Sequence, residues 1–425
     1  MNKVLDYIDF YVYVLIAFLI PVFSKAIPIL IVFLILTTFL RISTYKNLFK
    51  LLKSIDFYIL IAPFLLIVIG YFYSTNRPEA FVNIETGSSL IIFPFILYFS
   101  RNNHLKEKFN WIFKAFVISV LFSYVILWVE ALPKYLENGD AFFLYYTSFS
   151  KIIKTPNHLS YNVLFAVVIV LLNLFGIEDL LIKKRSKFSI FINLFLFLVL
   201  SVYLFQLVAK STIFIYLLII LLVLAISYYK KIIKTYALAT LLIFVIGLSL
   251  SMLAIPRVKT RFTNLIELVV NRDKVDYTQQ ESSTMRFSAM KSSVEIIKEN
   301  WLIGVGPGDV VDELELSYER NNFRAAECKH TNPHNQFLRS FLMSGIFGLI
   351  SLILIFYILF RNGIKKKSVL AFLWSFIMLI IFLVDDMFIF RDGVVYFAFF
   401  TSYFIFIHPK SKAFIEKNNT ISSQT

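Results

Sequence analysis

Residues 188–229 read FSIFINLFLFLVLSVYLFQLVAKSTIFIYLLIILLVLAISYY, with Lys210 as the only charged residue. The apolar stretch on each side of Lys210 is long enough to cross about 30 Å of hydrocarbon as an α-helix. Similar stretches recur along the chain of 425 residues, which is 59% hydrophobic and 16% charged and has a mean hydropathy of +0.76. This composition excludes a soluble globular protein and predicts an all-α integral membrane protein.

The apolar stretches predict about twelve transmembrane helices. We place them at residues 7–23, 26–42, 56–73, 86–99, 110–132, 157–176, 188–207, 212–229, 235–255, 336–360, 368–386 and 393–407. The first nine occupy residues 1–255 and the last three occupy residues 333–407, before a polar tail at 408–425. Residues 256–332 form the one large loop among short ones, and such a loop is where chemistry is expected.

Lys and Arg are concentrated in alternate short loops. The basic clusters lie at 41–53, 101–108, 183–187, 230–234, 361–367 and 410–417. Because cytoplasmic loops retain these residues, both termini are predicted to be cytoplasmic and the large loop to be extracytoplasmic. The net charge of +15 is therefore a signal of topology and not of nucleic-acid binding.

A membrane transporter is the alternative from another functional class. Ion-coupled transporters usually hold charged residues near the middle of the bilayer. Here the candidates for such a role, Lys114, Glu130, Asp385 and Asp386, lie near span ends. We therefore favour chemistry in the large loop over transport.

The large loop contains a predicted helix that begins at Ser282-Ser283 and ends at about Asn300, with Arg286 in its first turn. Its partly apolar face contains Met285, Ala289, Ile296 and Ile297. Such a helix is expected to lie along the membrane surface.

The run Gly304-Val305-Gly306-Pro307-Gly308 follows this helix. Its glycines permit positive φ angles and close backbone approach, which suits either a tight turn or a backbone nest that holds a phosphate. No Gly-Lys-Ser/Thr follows, so the run is not a Walker A motif.

His334 is the candidate catalytic residue. Asn332 is a suitable N-cap and Pro333 a suitable first residue of the tenth span, which would place His334 in the first helical turn. The positive end of the helix dipole disfavours an imidazolium, so His334 would stay neutral, as a general base requires. The alternative is a histidine that only forms hydrogen bonds at the membrane interface.

His330, His334 and Cys328 lie close together in the sequence, which raises the question of a zinc site. Pro333 breaks any helix through both histidines, and no Asp or Glu lies at a metal-ligand spacing from them. We therefore predict a site with neither a metal nor another cofactor.

Lys210 lies on the same predicted side of the membrane as Arg286 and His334. The simplest interpretation is a lysine that extends its charge to the membrane surface. However, several cations on the side where the topology rule makes them scarce indicate an anionic ligand such as a pyrophosphate.

The segment from about Arg286 to Phe360 resembles the C-terminal region of the O-antigen ligase and polymerase superfamily. The family pattern is an Arg before an apolar helix, a Gly-x-Gly element, His-Asn/Ser/Gln, nine residues and Gly-x-x-Gly. This chain has Arg286, Gly304-Val305-Gly306, His334-Asn335, nine residues and Gly345-Ile346-Phe347-Gly348.

The resemblance implies a fold similar to the C-type membrane glycosyltransferases, in the bacterial inner membrane with a periplasmic large loop. It also implies a donor glycan on undecaprenyl pyrophosphate and an acceptor glycolipid such as lipid A-core. His334 would be the base, Arg286 would bind the donor pyrophosphate, and Lys210 would stand where family members often have Arg. The supporting residues would be Asn335, Gly304, Gly306 and His330.

Three alternatives remain open. An O-antigen or exopolysaccharide polymerase would use a second lipid-linked glycan as the acceptor. A protein O-oligosaccharyltransferase would use a Ser or Thr side chain. A membrane polysaccharide transporter is the most distant of the three.

Overall fold

The computed structural model describes residues 2–101, 108–182, 186–232 and 282–409, together with Gly247 and Thr263. This part of the chain is helical without strands, as predicted. Its α-helices are α1 (Asn2–Val22), α2 (Ile27–Leu40), α3 (Ile42–Leu52), α4 (Ile55–Tyr71), α5 (Arg77–Gly87), α6 (Ser89–Ser100), α7 (Asn110–Asn138), α8 (Tyr146–Ser150), α9 (Pro156–Leu174), α10 (Lys187–Gln206), α11 (Lys210–Tyr229), α12 (Ser282–Glu299), α13 (Val310–Arg320), α14 (Arg324–Glu327), α15 (Gln336–Lys366), α16 (Val369–Val384) and α17 (Arg391–Ser402). The predicted ninth span, the boundary at residues 255 and 256, and residues 410–425 of the tail lie outside the described residues.

Within the described ranges, seven helices are long and apolar enough to cross a membrane. They are Lys3–Val22, Arg77–Ser100, Asn110–Asn138, Pro156–Leu174, Lys187–Gln206, Lys210–Tyr229 and Gln336–Lys366. Three shorter apolar helices lie at Ser24–Leu40, Ile55–Tyr71 and Val369–Val384. The protein is therefore a multi-pass membrane protein, whereas the count of twelve spans and the cytoplasmic position of the termini stay predictions.

Helix α9 is the central helix of the bundle. Every residue from Leu159 to Leu172 is buried, which is expected for a helix that is apolar on all sides. Trp374 of α16 packs against Phe165 of α9 and Phe400 of α17, with ring centroids 4.7 and 5.2 Å apart. The middle of α9 is thus tightly packed inside the bundle, and its first turns lie at the end where the large loop also lies.

Two of the predicted basic loops, at residues 41–53 and 361–367, lie at the end of the bundle opposite the large loop. There Arg41 forms ion pairs with Asp6 and Asp9 at 2.6 and 2.5 Å, and Arg361 pairs with Asp56 at 2.5 Å. Alternate loops therefore meet at the same end, as the predicted hairpins require.

The described part of the large loop packs as a small helical unit against α15. Ala289 and Ile296 of α12 are buried with Leu314 and Tyr318 of α13 and with Leu342 of α15. The α12 face that was expected to lie along the membrane surface therefore has Ala289 and Ile296 covered by protein. Burial of these side chains favours the docked arrangement through the hydrophobic effect.

Helix α15 is broken at Ser344–Gly345, where φ is −141° and then 58°. The segment that follows α12 fills the break. The backbone N of Val305 donates to the carbonyl of Leu342 at 2.8 Å, and the backbone N of Ile346 donates to the carbonyl of Trp301 at 2.9 Å. The large loop is therefore tied to the upper part of α15, next to His334.

Candidate functional site

His334 lies in the turn before α15 and not inside the helix. The helix begins at Gln336, and its N-cap is Asn335, whose Oδ1 accepts a hydrogen bond from the backbone N of Leu338 at 3.0 Å. The helix therefore begins three residues later than predicted, and the expected position of His334 in its first turn is wrong.

Asn332 does not cap the helix because its side chain has another partner. Its Oδ1 accepts a hydrogen bond from the buried guanidinium of Arg339 at 3.2 Å. His334 has a φ of 48°, a left-handed conformation that costs energy in any residue with a Cβ atom. The backbone N of His334 donates to Oδ2 of Asp386 at 3.3 Å, which helps to hold this conformation.

Two buried carboxylates face the imidazole of His334. Nδ1 of His334 lies 3.6 Å from Oδ1 of Asp385 and 3.8 Å from Oδ1 of Asp386. The His334 side chain itself is 30% exposed, so a substrate can reach it. Carboxylates on the Nδ1 side favour the tautomer with its proton on Nδ1, which leaves Nε2 free to accept a proton.

Tyr161 fixes the carboxylate of Asp385 from the side of α9. Its hydroxyl donates to Oδ2 of Asp385 at 2.6 Å, and the whole side chain is buried. His158, one turn earlier on α9, interacts electrostatically with the same carboxylate. The loop after α16 is thus connected to the central helix of the bundle.

The pKa values of the two carboxyl groups are shifted in opposite directions. Burial alone would raise the pKa of Asp385, but His334, His158 and the Tyr161 hydroxyl outweigh it and hold the pKa below its usual range. Burial raises the pKa of Asp386, and the opposing effects of Arg339 and His334 do not cancel this rise. Asp385 is therefore the carboxylate that stays ionised beside His334.

Arg286, which belongs to the large loop, lies near Tyr161. It is close enough to interact electrostatically with the Tyr161 phenol. Its Nε atom is buried and has no hydrogen-bond partner among the described residues. A guanidinium nitrogen in this state has donor capacity left for an anionic ligand.

Lys210 is the first residue of α11. The next residue, Ser211, has its hydroxyl within hydrogen-bonding reach of the Tyr161 phenol. The structure therefore arranges His334, Arg286 and the start of α11 around one tyrosine, although the chemical role of each residue stays a prediction.

His330 lies apart from this group of residues. Its exposed imidazole pairs with Glu315 of α13. The structure gives it no contact with His334 among the hydrogen bonds and ion pairs of the described residues, so its expected supporting role has no structural basis.

The glycine run serves close packing. Gly304 has a φ of 73°, and a Cβ atom there would collide with the carbonyl oxygen of Leu342. A Cβ atom on Gly306, with a φ of 103°, would lie 2.5 Å from the Ser74 hydroxyl. Only glycine allows the loop to approach α15 and the α4–α5 turn this closely.

Most of the N–H groups that a phosphate nest would need are already occupied, including that of Gly308, which donates to the Ser74 hydroxyl at 3.1 Å. The backbone N of Gly304 donates to Asn300 at 2.9 Å, and that of Val305 donates to Leu342 at 2.8 Å. Pro307 has no N–H. Of the two interpretations of the run, the turn fits the structure and the phosphate nest does not.

A metal ion has to be considered because His334, Asp385 and Asp386 each offer one ligand atom, all within 4.8 Å of one another. No Asp or Glu lies at a metal-ligand spacing from His334 in the sequence, but the structure brings both carboxylates to it from the end of a distant helix. Oδ2 of each carboxylate accepts a hydrogen bond, from Tyr161 or from the His334 backbone, and Oδ1 of Asp385 also accepts one from the backbone N of Asp386. The His334 nitrogen and the two Oδ1 atoms would suit a divalent cation such as zinc.

Sequence reasoning missed Tyr161, His158 and the role of the Asp385–Asp386 pair. One signal was present: His158 follows Pro156 at the start of a predicted span on the predicted outer side, just as His334 follows Pro333. A second histidine in that position could have directed attention to the start of α9.

Fold and site together define an all-helical, multi-pass membrane protein with a histidine, two carboxylates and an arginine at one end of the bundle. Residues 195–353 match the family model described as O-antigen ligase. The matched region is less than half of the chain, and it supports an assignment to the O-antigen ligase superfamily. Ligase or polymerase-like glycosyl transfer is the activity that this family indicates. A comparison with curated proteins finds no match.

Proposed function

We propose that this protein is an O-antigen ligase-like glycosyltransferase that moves a glycan from a polyprenyl-pyrophosphate donor to an acceptor hydroxyl. The acceptor we propose is a sugar of lipid A-core. The observation that carries the proposal is the imidazole of His334, whose Nδ1 faces the ionised carboxylate of Asp385 while the rest of the ring is accessible. The family match supports glycosyl transfer in general.

In the proposed reaction, Nε2 of His334 takes the proton of the acceptor hydroxyl. The resulting oxygen nucleophile attacks the anomeric carbon and forms the new glycosidic bond. The bond between this carbon and the pyrophosphate oxygen breaks, and the lipid pyrophosphate leaves with the electron pair. Attack opposite the leaving group inverts the anomeric configuration. Asp385 keeps the imidazole in the required tautomer and stabilises the imidazolium that forms.

The charge of the leaving pyrophosphate would be balanced by Arg286 and Lys210. Arg286 has a buried Nε without a partner among the described residues, and Lys210 begins the helix whose second residue contacts Tyr161. Preorganised cations that face developing negative charge are a large source of rate enhancement. No metal is needed in this scheme, since the cations serve the leaving group and the histidine serves the nucleophile.

We place the reaction at the periplasmic face of the bacterial inner membrane. The alternation of basic loops supports this orientation, because the site lies at the end of the bundle opposite Arg41 and Arg361.

The test is a transfer assay with purified protein in proteoliposomes, a synthetic undecaprenyl-pyrophosphate oligosaccharide and lipid A-core. We expect the glycan to appear on the glycolipid with inverted configuration and stoichiometric release of undecaprenyl pyrophosphate. Absence of product with an intact donor and acceptor would contradict the ligase assignment.

Deletion of the gene separates the acceptors. Loss of a ligase leaves lipid A-core without an attached glycan, whereas loss of a polymerase leaves a single repeat unit attached. Loss of a protein O-oligosaccharyltransferase leaves the lipopolysaccharide unchanged and removes glycoprotein.

A further inference from the structure

We propose that Tyr161 is a positioning residue that orients Asp385 toward His334, and this inference rests on the proposed function. The geometry assigns the role because one carboxylate links the two side chains: Tyr161 binds Oδ2 of Asp385, and His334 faces Oδ1.

The hydrogen bond from Tyr161 determines the rotation of the carboxylate. Its O–Oδ2 distance of 2.6 Å is typical of a hydroxyl bound to an ionised carboxylate. With Oδ2 held, Oδ1 lies 3.6 Å from Nδ1 of His334. Oδ1 also accepts a hydrogen bond from the backbone N of Asp386 at 3.0 Å. Without the phenol, nothing among the described contacts would hold Oδ2.

Asp385 needs such lateral support because it lies just beyond a helix. It is the C-cap of α16, and its φ and ψ of −152° and 153° are those of extended backbone. Tyr161, in contrast, belongs to the buried central helix, and its carbonyl accepts a hydrogen bond from the hydroxyl of Tyr396 at 3.2 Å. Tyr161 therefore ties the carboxylate, which lies outside α16, to the buried helix α9.

The same phenol borders the cationic side of the site. Ser211, beside Lys210, is within its hydrogen-bonding reach, and Arg286 interacts with it electrostatically. Tyr161 thus has neighbours from both the base and the expected pyrophosphate side. The charged and titratable groups around His334 and Asp385 are Asp386, His158, Tyr161, Arg286 and Arg339.

The first experiment is a double-mutant cycle on transfer by the full-length protein, with Tyr161→Phe and Asp385→Asn. A charge-assisted hydrogen bond corresponds to roughly ten- to hundredfold, so Tyr161→Phe should lower kcat by about that factor and leave KM for the donor unchanged. In the Asp385→Asn background, Tyr161→Phe should cost little more, because its target carboxylate is gone. Fully additive losses would overturn the proposal.

Tyr216→Phe is the matched control. Tyr216 is also fully buried and donates to Ser201 at 2.8 Å, but this bond joins α11 to α10. Tyr216→Phe should lower the melting temperature as Tyr161→Phe does, but it should not change kcat.

A second measurement does not depend on activity. Diethyl pyrocarbonate modifies accessible neutral imidazoles, and mass spectrometry reads His334 and His330 separately. Tyr161→Phe should shift the pH profile of His334 modification in the same direction as Asp385→Asn, while the His330 profile stays unchanged. The positioning role would be refuted if Asp385→Asn shifted the pH profile of His334 modification and Tyr161→Phe left it as in the wild type. This outcome does not depend on whether the protein is a transferase.

Discussion

His330 and His334, four residues apart, occupy opposite environments: His334 faces two buried carboxylates, whereas His330 is exposed and pairs with Glu315. The pair offers a comparison within one loop, because only one of the two histidines has the surroundings of a general base.

We expect His334→Ala to lower the transfer rate by about 10²–10⁴-fold, the usual contribution of a proton-transfer catalyst. His330→Ala should stay close to the wild-type rate, since its imidazole contacts only Glu315 among the described residues. The measurement is product formation in proteoliposomes at saturating donor. Equal losses of transfer rate in both variants would mean that activity depends on the structure of the loop and not on the His334 imidazole.

Lys210→Ala should raise KM for the pyrophosphate donor by roughly tenfold or more, because a charged hydrogen bond to phosphate is lost. Lys210→Arg should retain donor binding, since guanidinium is also a phosphate ligand. Lys151, an exposed lysine just before α9, provides the control. If Lys210→Ala behaves like Lys151→Ala, then Lys210 only extends its charge to the membrane surface.

Gly304→Ala should destabilise the protein rather than weaken donor binding. Its positive φ costs an alanine about 1–2 kcal/mol, and the collision with Leu342 adds roughly 1–3 kcal/mol. Gly139→Ala isolates the first cost, because Gly139 has a φ of 66° and nothing within 4 Å of a Cβ atom. Melting temperatures in detergent should therefore fall further for Gly304→Ala. Unchanged stability with lost donor affinity would restore the phosphate-nest interpretation.

Removal of divalent cations should leave the transfer rate unchanged, because the proposed reaction uses His334 as a base. The assay compares protein before and after dialysis against EDTA. A loss of activity that zinc, manganese or magnesium restores would instead assign His334, Asp385 and Asp386 as metal ligands.

Cys328 is the only cysteine of the chain and is exposed, so the protein carries its own probe of topology. A membrane-impermeant maleimide should label it in intact spheroplasts if the loop is periplasmic. In a Cys328→Ser background, Lys367→Cys at the other end of the bundle should react only after permeabilisation. The reverse pattern would invalidate the proposed orientation.

The helices were predictable because hydropathy acts locally. Charge-free stretches of suitable length leave the backbone no alternative to internal hydrogen bonding in a membrane. Thus α9, α10 and α11 lie within a few residues of the predicted 157–176, 188–207 and 212–229.

The start of α15 was not predictable because two asparagines compete as N-cap. Asn332 and Asn335 have the same intrinsic preference. Arg339, one turn into the helix, binds Asn332 and leaves Asn335 as the cap. Likewise, Tyr161 and Asp385 each lie near a predicted span end, but no local pattern shows that α9 and α16 bring them together.

The break in α15 has a mechanical consequence. A continuous helix of 31 residues would act as a lever, so that a thinner or thicker bilayer, by tilting its lower part, would swing its upper end. The helix is interrupted at Ser344–Gly345, and backbone hydrogen bonds join the residues on both sides of this break to residues 301–305. We therefore expect the turn that holds His334 to move little when the lower part of α15 tilts in response to hydrophobic mismatch.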